Sequence, residues 1–346
     1  MKRILSGAII AFSLMLSLPA LAQWSEQNHA ERFEQLGPML RSPNVYRTAS
    51  GAPGHQYWQQ KADHEIQVEL NDENQSIKGW QKVTYYNNSP DPLKYLWIQL
   101  DQNERAKDSN TPKIAQSNID ERMNLRQLEG ILWHDLDLGY KIRSVKDLSG
   151  KDIPITIVKT MMRVDLPQPL MPGQKTELTM DWTFIIHSRM CFIGGRPGYV
   201  SFVQDGNYLY TMAEWFPRMA VYSDFQGWQH KQFVGRGEFA LTFGDYKVKI
   251  TVPADHMVGS TGVLQNADKV LSATELDRWK AAQKTFDKPV VIRTQAEAEK
   301  LEKTKAKDKK TWEFHAENVR DFAWTSSRKF IWDAMAVKQG GNEVMA

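Results

Sequence analysis

The stretch Ile66-Gln67-Val68-Glu69-Leu70-Asn71-Asp72-Glu73-Asn74 decides the fold class. Ile66, Val68 and Leu70 alternate with Gln67 and Glu69, the period of a strand with one face buried. Asn71 to Asn74 form a polar turn, and Ile77 to Tyr86 continue as a second strand, so the segment reads as a β-hairpin.

The same period recurs along the chain. Tyr95 to Leu100, Lys141 to Val145, Ile153 to Lys159 and Met161 to Leu166 read as strands. Leu170-Met171-Pro172-Gly173-Gln174 turns the chain into another strand, Thr176 to Ile186. Tyr208 to Thr211, Phe239 to Val252 and Trp312 to Ala316 continue the pattern. No helix follows each strand, so a parallel βαβ arrangement is disfavoured. The expected fold is mainly β: a large antiparallel, saddle-like β sandwich with helical insertions at about 101–130 and 272–310. In the second insertion Leu271, Glu275, Leu276, Trp279 and Ala282 fall at helical spacing. Bases outnumber acids from Arg293 to Lys310, which reads as a solvated helix face and not as a nucleic-acid surface. Gly194-Gly195-Arg196-Pro197-Gly198 lacks the Lys-Ser/Thr of a phosphate loop and reads as a turn between strands.

The chain has 346 residues, 41% hydrophobic and 25% charged, an ordinary globular mixture. Its net charge of +3 includes Lys2 and Arg3, and the remainder of the chain is close to neutral, so no nucleic-acid partner is implied. Twelve Trp, eleven Tyr and fourteen Phe suit broad half-buried β surfaces. The single cysteine, Cys191, excludes an intramolecular disulfide and a thiolate metal cluster.

Residues 1–22 have the organisation of a secretory signal: Lys2-Arg3, an apolar run from Ile4 to Leu18, then Ala20-Leu21-Ala22 before Gln23. That run falls short of the roughly 20 residues a membrane span needs. The expected product is exported and has no membrane partner after signal removal. The periplasm is the expected compartment, with secretion left open. Residues 23–60 read as a lead-in, with a short helix over Asn28 to Leu40 ended by Gly37-Pro38. The β domain spans 61–337, and 338–346 reads as a connector whose Gly-rich end, Gly340 to Ala346, is expected to be unpaired.

Catalytic chemistry is hard to find in these residues. None of the eight histidines lies four residues from another, so the H-E-x-x-H helix of zinc peptidases is absent. No G-x-S-x-G nucleophile elbow occurs. Cys191, between Met190 and Phe192, reads as a buried inert thiol.

Two stretches carry a resemblance. Trp215-Phe216-Pro217-Arg218-Met219-Ala220-Val221-Tyr222 leads through Gly235-Arg236-Gly237-Glu238-Phe239 and Tyr246 to Pro253 to Gly259-Ser260-Thr261-Gly262. Later comes Phe314-His315-Ala316-Glu317-Asn318-Val319-Arg320-Asp321-Phe322-Ala323-Trp324. In order and spacing these resemble the N-terminal β domain of the aminopeptidase N family of zinc metallopeptidases, over about Lys61 to Val337. The resemblance implies a sheet packed beside a thermolysin-like catalytic domain, with peptides as substrates and zinc as the full-length enzyme's cofactor.

In that family the exopeptidase loop, the zinc helix and the oxyanion tyrosine all lie beyond the Phe-Ala-Trp stretch. No residue of this chain inherits a metal or catalytic role from them, and the chain alone is expected to be inactive. The resemblance implies one contribution to a substrate pocket: Glu214 near the substrate's amino group, with Tyr210 and Met212 as apolar wall. The plain alternative for Glu214 is a buried acid paired to Arg218. A rival for the whole chain is a stand-alone exported module that binds peptide or glycan on its aromatic residues.

Overall fold

The computed structural model describes residues 43–114, 122–125, 128, 137–189, 196–235 and 240–345. The signal-like segment, the expected helix over Asn28 to Leu40 and Cys191 lie outside the described residues. Met1–Tyr57 and Trp58–Ala346 form two compact units. In the described part of the first, the Asn44 side chain accepts the backbone N–H groups of Tyr46 and Arg47 at 2.8 and 2.9 Å, and Arg47 bridges Pro53.

The second unit is mainly β. Its opening hairpin pairs β1 (Lys61–Asn71) with β2 (Ser76–Tyr86), Leu70 opposite Ile77. Ile66, Val68 and Leu70 are buried while Glu65, Gln67 and Glu69 face water, as the period requires. With β4 (Lys141–Asp147), β7 (Lys175–Ile185), β13 (Gly244–Pro253), β15 (Val263–Leu264) and β17 (Lys309–Val319), these form a seven-stranded sheet ordered β15-β17-β13-β1-β2-β7-β4. A second sheet contains β3 (Leu93–Gln99), β5 (Ile155–Val158), β6 (Met161–Leu170) and β10 (Arg218–Met219), ordered β10-β3-β6-β5. A third contains β8 (Gly198–Phe202), β9 (Asn207–Met212), β14 (Met257–Ser260) and β18 (Trp324–Ser327), ordered β14-β18-β9-β8. Two-stranded ribbons complete the set: β11 (Tyr222–Ser223) with β12 (Gly227–Trp228), β16 (Val290–Arg293) with β19 (Trp332–Ala334), and β20 (Ala336–Gln339) with β21 (Asn342–Met345).

One apolar core joins the three large sheets, with Ile66 and Trp182 from the first, Leu96 and Ile98 from the second and Met212 and Trp324 from the third. Each fully buried aliphatic side chain contributes about 1.5–3 kcal/mol. Trp182 is accommodated by a glycine in mid-strand. Gly79 is its register partner, and a Cβ at that position would stand 2.1 Å from the indole ring.

Three expectations are corrected. The large sheet is mixed, because β1 and β13 run parallel, Ile66 beside Val248. A parallel neighbour needs a long connection, here the chain from β2 to β13, so local sequence carries no sign of it. The 272–310 insertion is not wholly helical: helices Ala273–Ala282 and Gln295–Leu301 flank the strand Val290–Arg293. Both helices start on capping boxes, Ser272 with Glu275 and Thr294 with Glu297. The tail expected to be unpaired forms the β20–β21 hairpin, with Gly340 and Gly341 at φ +59° and +84°, as a two-residue hairpin turn demands. Among the described residues, the 101–130 insertion holds a 3-10 turn, Asp101–Arg105, and a short helix, Thr111–Ile114. No described helix is long and apolar enough to cross a membrane.

Candidate functional site

The third sheet ends in a groove. Ser260 of β14 pairs with Trp324 of β18, Trp324 with Met212 of β9, and Thr211 with Gly198 of β8, so four strand ends line up at one side. Beyond them lies a space of about 440 Å³, within the range of small-molecule sites. Met212, Ala213 and Trp324 supply apolar wall, and Thr211, Ser260 and Thr261 supply hydroxyls. Two guanidiniums, Arg189 and Arg196, complete the lining.

Glu214 lies two residues past the end of β9 with a left-handed backbone, φ +56°, which turns the chain out of the strand. Its carbonyl accepts the Tyr140 hydroxyl at 3.2 Å and the Gln102 amide at 3.4 Å, and the same amide nitrogen donates to the Arg196 carbonyl at 2.8 Å. The Glu214 side chain is only 11% exposed, and its carboxylate stands 3.9 Å from the Arg196 guanidinium, too far for a hydrogen bond. Burial pushes its pKa up to about 7, reinforced by the Asp101 charge and opposed by Arg218 and Arg196.

More charge lies behind it. Asp101, raised to about 6 by burial against the pull of Arg218, accepts the Arg218 guanidinium at 2.8 Å. Arg218 also holds Asp321 at 2.8 Å. Glu104 is raised by burial, opposed by the guanidinium of its ion-pair partner Arg105. Burial, together with Arg105 and Arg189, lowers the His187 pKa to about 3, so that imidazole is neutral.

The residues singled out in the sequence are placed differently from one another. Met212 lines the groove. Tyr210 does not: it is fully buried, its hydroxyl donates to Asp72 at 2.7 Å, and burial raises its pKa. Glu214 neighbours Arg196, while Arg218 is gripped by Asp101 and Asp321. The two stretches behind the resemblance meet in space: the Trp215 indole N–H donates to the Phe322 carbonyl at 2.7 Å, and its ring sits edge-on to Trp324 with centroids 6.0 Å apart. Sequence reasoning did not single out Arg189, Gln102 or Tyr140, whose roles arise only through contacts with distant strands.

Elsewhere a hydroxyl and an imidazole meet. The Ser326 hydroxyl lies 2.8 Å from His256 Nδ1, and His256 Nε2 lies 3.9 Å from Asp72. Ser326 is fully buried, so no substrate reaches it. The group belongs to a buried anchor in which Arg328 bridges Asp72 at 2.9 Å and Asp255 at 3.0 Å. On the second sheet's outer face Arg163 lies 4.2 Å over the Tyr95 ring and His230 stacks on Trp97 at 5.0 Å, so the protein itself covers a face of each ring. Among the described residues, no group of three or more His, Cys, Asp or Glu is placed to hold a metal ion, so a zinc site does not fit them.

No family model and no curated protein matches the chain. Among solved structures, the M1 zinc metallopeptidase from Deinococcus radiodurans is similar at 14% identity and a TM-score of 0.41, over 83% of this chain and 46% of that one. A mutant of that enzyme bound to a Tyr-Ser-Ala substrate gives the same identity, coverage and TM-score. A mutant of a two-domain M1 zinc metallopeptidase bound to L-tryptophan gives 14% identity and a TM-score of 0.40, again over 83% and 46%. The chain therefore spans less than half the length of the solved structures it matches. A likeness at this level assigns no activity.

Proposed function

We propose that this chain is the N-terminal, non-catalytic β domain of an exported zinc aminopeptidase-like protein, with the groove at Glu214 forming part of the substrate cleft. Zinc chemistry, which lowers the pKa of a bound water and polarises the scissile carbonyl, would belong to residues outside this chain. The role read for this domain is to hold the free amino group of a peptide.

One observation carries the reading: a buried carboxylate, Glu214, next in the chain to the groove-lining Ala213 and 3.9 Å from the groove-lining Arg196, with no hydrogen-bonded cation of its own among the described residues. A peptide ammonium reaching Glu214 supplies that missing charge and favours the ionised form. Because Glu214 titrates near 7, amine binding is expected to weaken about tenfold per pH unit below that value. The order of the two motif stretches, and their contact through Trp215 and Phe322, adds support.

Calorimetric titration of the chain with Ala-Ala amide and with its N-acetyl derivative tests this. Binding of the free amine at pH 8, at least tenfold weaker after acetylation and lost in Glu214→Gln, is expected. Equal binding of the two ligands would refute the amine-holding role. The gene should also encode an H-E-x-x-H helix beyond the codon for Ala346, and a frame without one would remove the metallopeptidase half of the reading.

A further inference from the structure

We propose that the groove is selective for peptides with an acidic N-terminal side chain, whose carboxylate is held by Arg189 and Arg196. This deepens the amine-holding role of Glu214 and rests on it for the orientation of the ligand.

Arg189 and Arg196 line the groove, and among the described residues no carboxylate lines it with them. The nearest acid, Glu214, meets Arg196 at 3.9 Å, a loose contact that a better partner can replace. Arg196 is 59% exposed in its side chain and reaches the groove from the turn before β8.

Arg189 is held in place. Its Nη1 donates to the Thr211 hydroxyl at 2.8 Å, at the end of β9. Its stem crosses the backbone at Gly198, where a Cβ would stand 2.5 Å from the Arg189 Cγ. A glycine at the first residue of β8 therefore leaves room for the stem, and Thr211 fixes the head. The positive field reaches inward as well, since Arg189 is among the groups that lower the neighbouring His187.

A ligand residue carrying both an ammonium and a side-chain carboxylate complements this layout. It exchanges the loose Glu214–Arg196 contact for two charge-assisted pairs, ammonium to Glu214 and carboxylate to guanidinium. Arg matches a planar carboxylate through paired N–H donors, a geometry that lysine lacks. A neutral isostere such as asparagine gains the first pair only and leaves the guanidiniums without a carboxylate.

The test compares Asp-Ala amide, Asn-Ala amide and N-acetyl-Asp-Ala amide, C-terminal amides that carry no second carboxylate, by calorimetric titration of the full chain at pH 8. Asp-Ala amide is expected to bind at least tenfold more tightly than Asn-Ala amide. The Arg189→Gln/Arg196→Gln double variant should erase that difference. Equal affinity for the Asp and Asn peptides overturns the proposal without any variant, and so does a preference that survives in the double variant. Acetylation reports separately on Glu214: an acid preference together with an Asp-Ala amide affinity unaffected by acetylation would refute the amine reading and keep the arginine site. Loss on acetylation with no acid preference would do the reverse. No binding of Asp-Ala amide at millimolar concentration overturns both.

Discussion

Replacing Glu214 by Gln removes a buried negative charge but keeps the shape of the side chain, so its effect on stability should depend on pH. In the folded protein burial raises the Glu214 pKa from 4.5 to about 7, so the folded state holds the proton more tightly than the unfolded chain does. The stability this proton contributes is present below pH 4.5 and is lost as pH rises through 7. Integrated between pH 5 and 8, the wild-type protein gives up about 2–3 kcal/mol at this one group, at roughly 1.4 kcal/mol per pH unit. Glu214→Gln escapes that loss. For a unit of this size about 1 kcal/mol moves the melting temperature by roughly 2 °C. The variant should therefore gain roughly 5 °C on the wild type between pH 5 and pH 8, beyond any offset present at pH 5. Paired thermal melts by circular dichroism at the two pH values measure this. A difference between variant and wild type that is the same at both would show that Glu214 carries no burial penalty.

Gly79→Ala brings a methyl group against the Trp182 ring, where a Cβ has only 2.1 Å, and should cost about 3 kcal/mol or more by urea denaturation. Adding Trp182→Leu should recover part of that loss, and strict additivity of the two changes would contradict the clash. Arg328→Met leaves the buried Asp255 and the part-buried Asp72 without the cation between them, and a loss of about 3 kcal/mol is expected. A urea midpoint unchanged in Arg328→Met would show that neither acid depends on it.

Much of the fold was legible because its strands announce themselves locally. Ile66, Val68 and Leu70 alternate with polar neighbours, and the polar turn after Leu70 closes the expected hairpin, with Leu70 opposite Ile77. Gly79 is a counter-example: its sequence neighbours give no reason for a glycine, and the reason is an indole 103 residues later on the paired strand. The helix starts at Ser272 and Thr294 lie in local capping boxes, whereas the strand Val290–Arg293 between those helices is stabilised by β19 and by the Arg293–Glu275 pair at 2.7 Å. The candidate site was legible only in part. Glu214 and Met212 could be nominated from the Trp-Phe-Pro stretch, but a period of two, which puts Tyr210 and Met212 on one face of β9, does not say which of them reaches the groove at the strand end. Tyr210, farther from that end, instead meets Asp72, a residue of the opening hairpin's turn.

Taken by itself, the sequence determined those features that depend on neighbours along the chain: strand period, turn positions, helix caps, and the order of the motifs that meet at Trp215 and Phe322. Each is set by side-chain chemistry acting over a few residues. The parallel pairing of β1 with β13, the row of strand ends from Ser260 to Gly198, and the approach of Arg189 and Arg196 to the groove beside Glu214 were decided by the tertiary structure. They depend on register between strands far apart in the chain, and register is chosen by how the whole core packs, a property no short segment encodes.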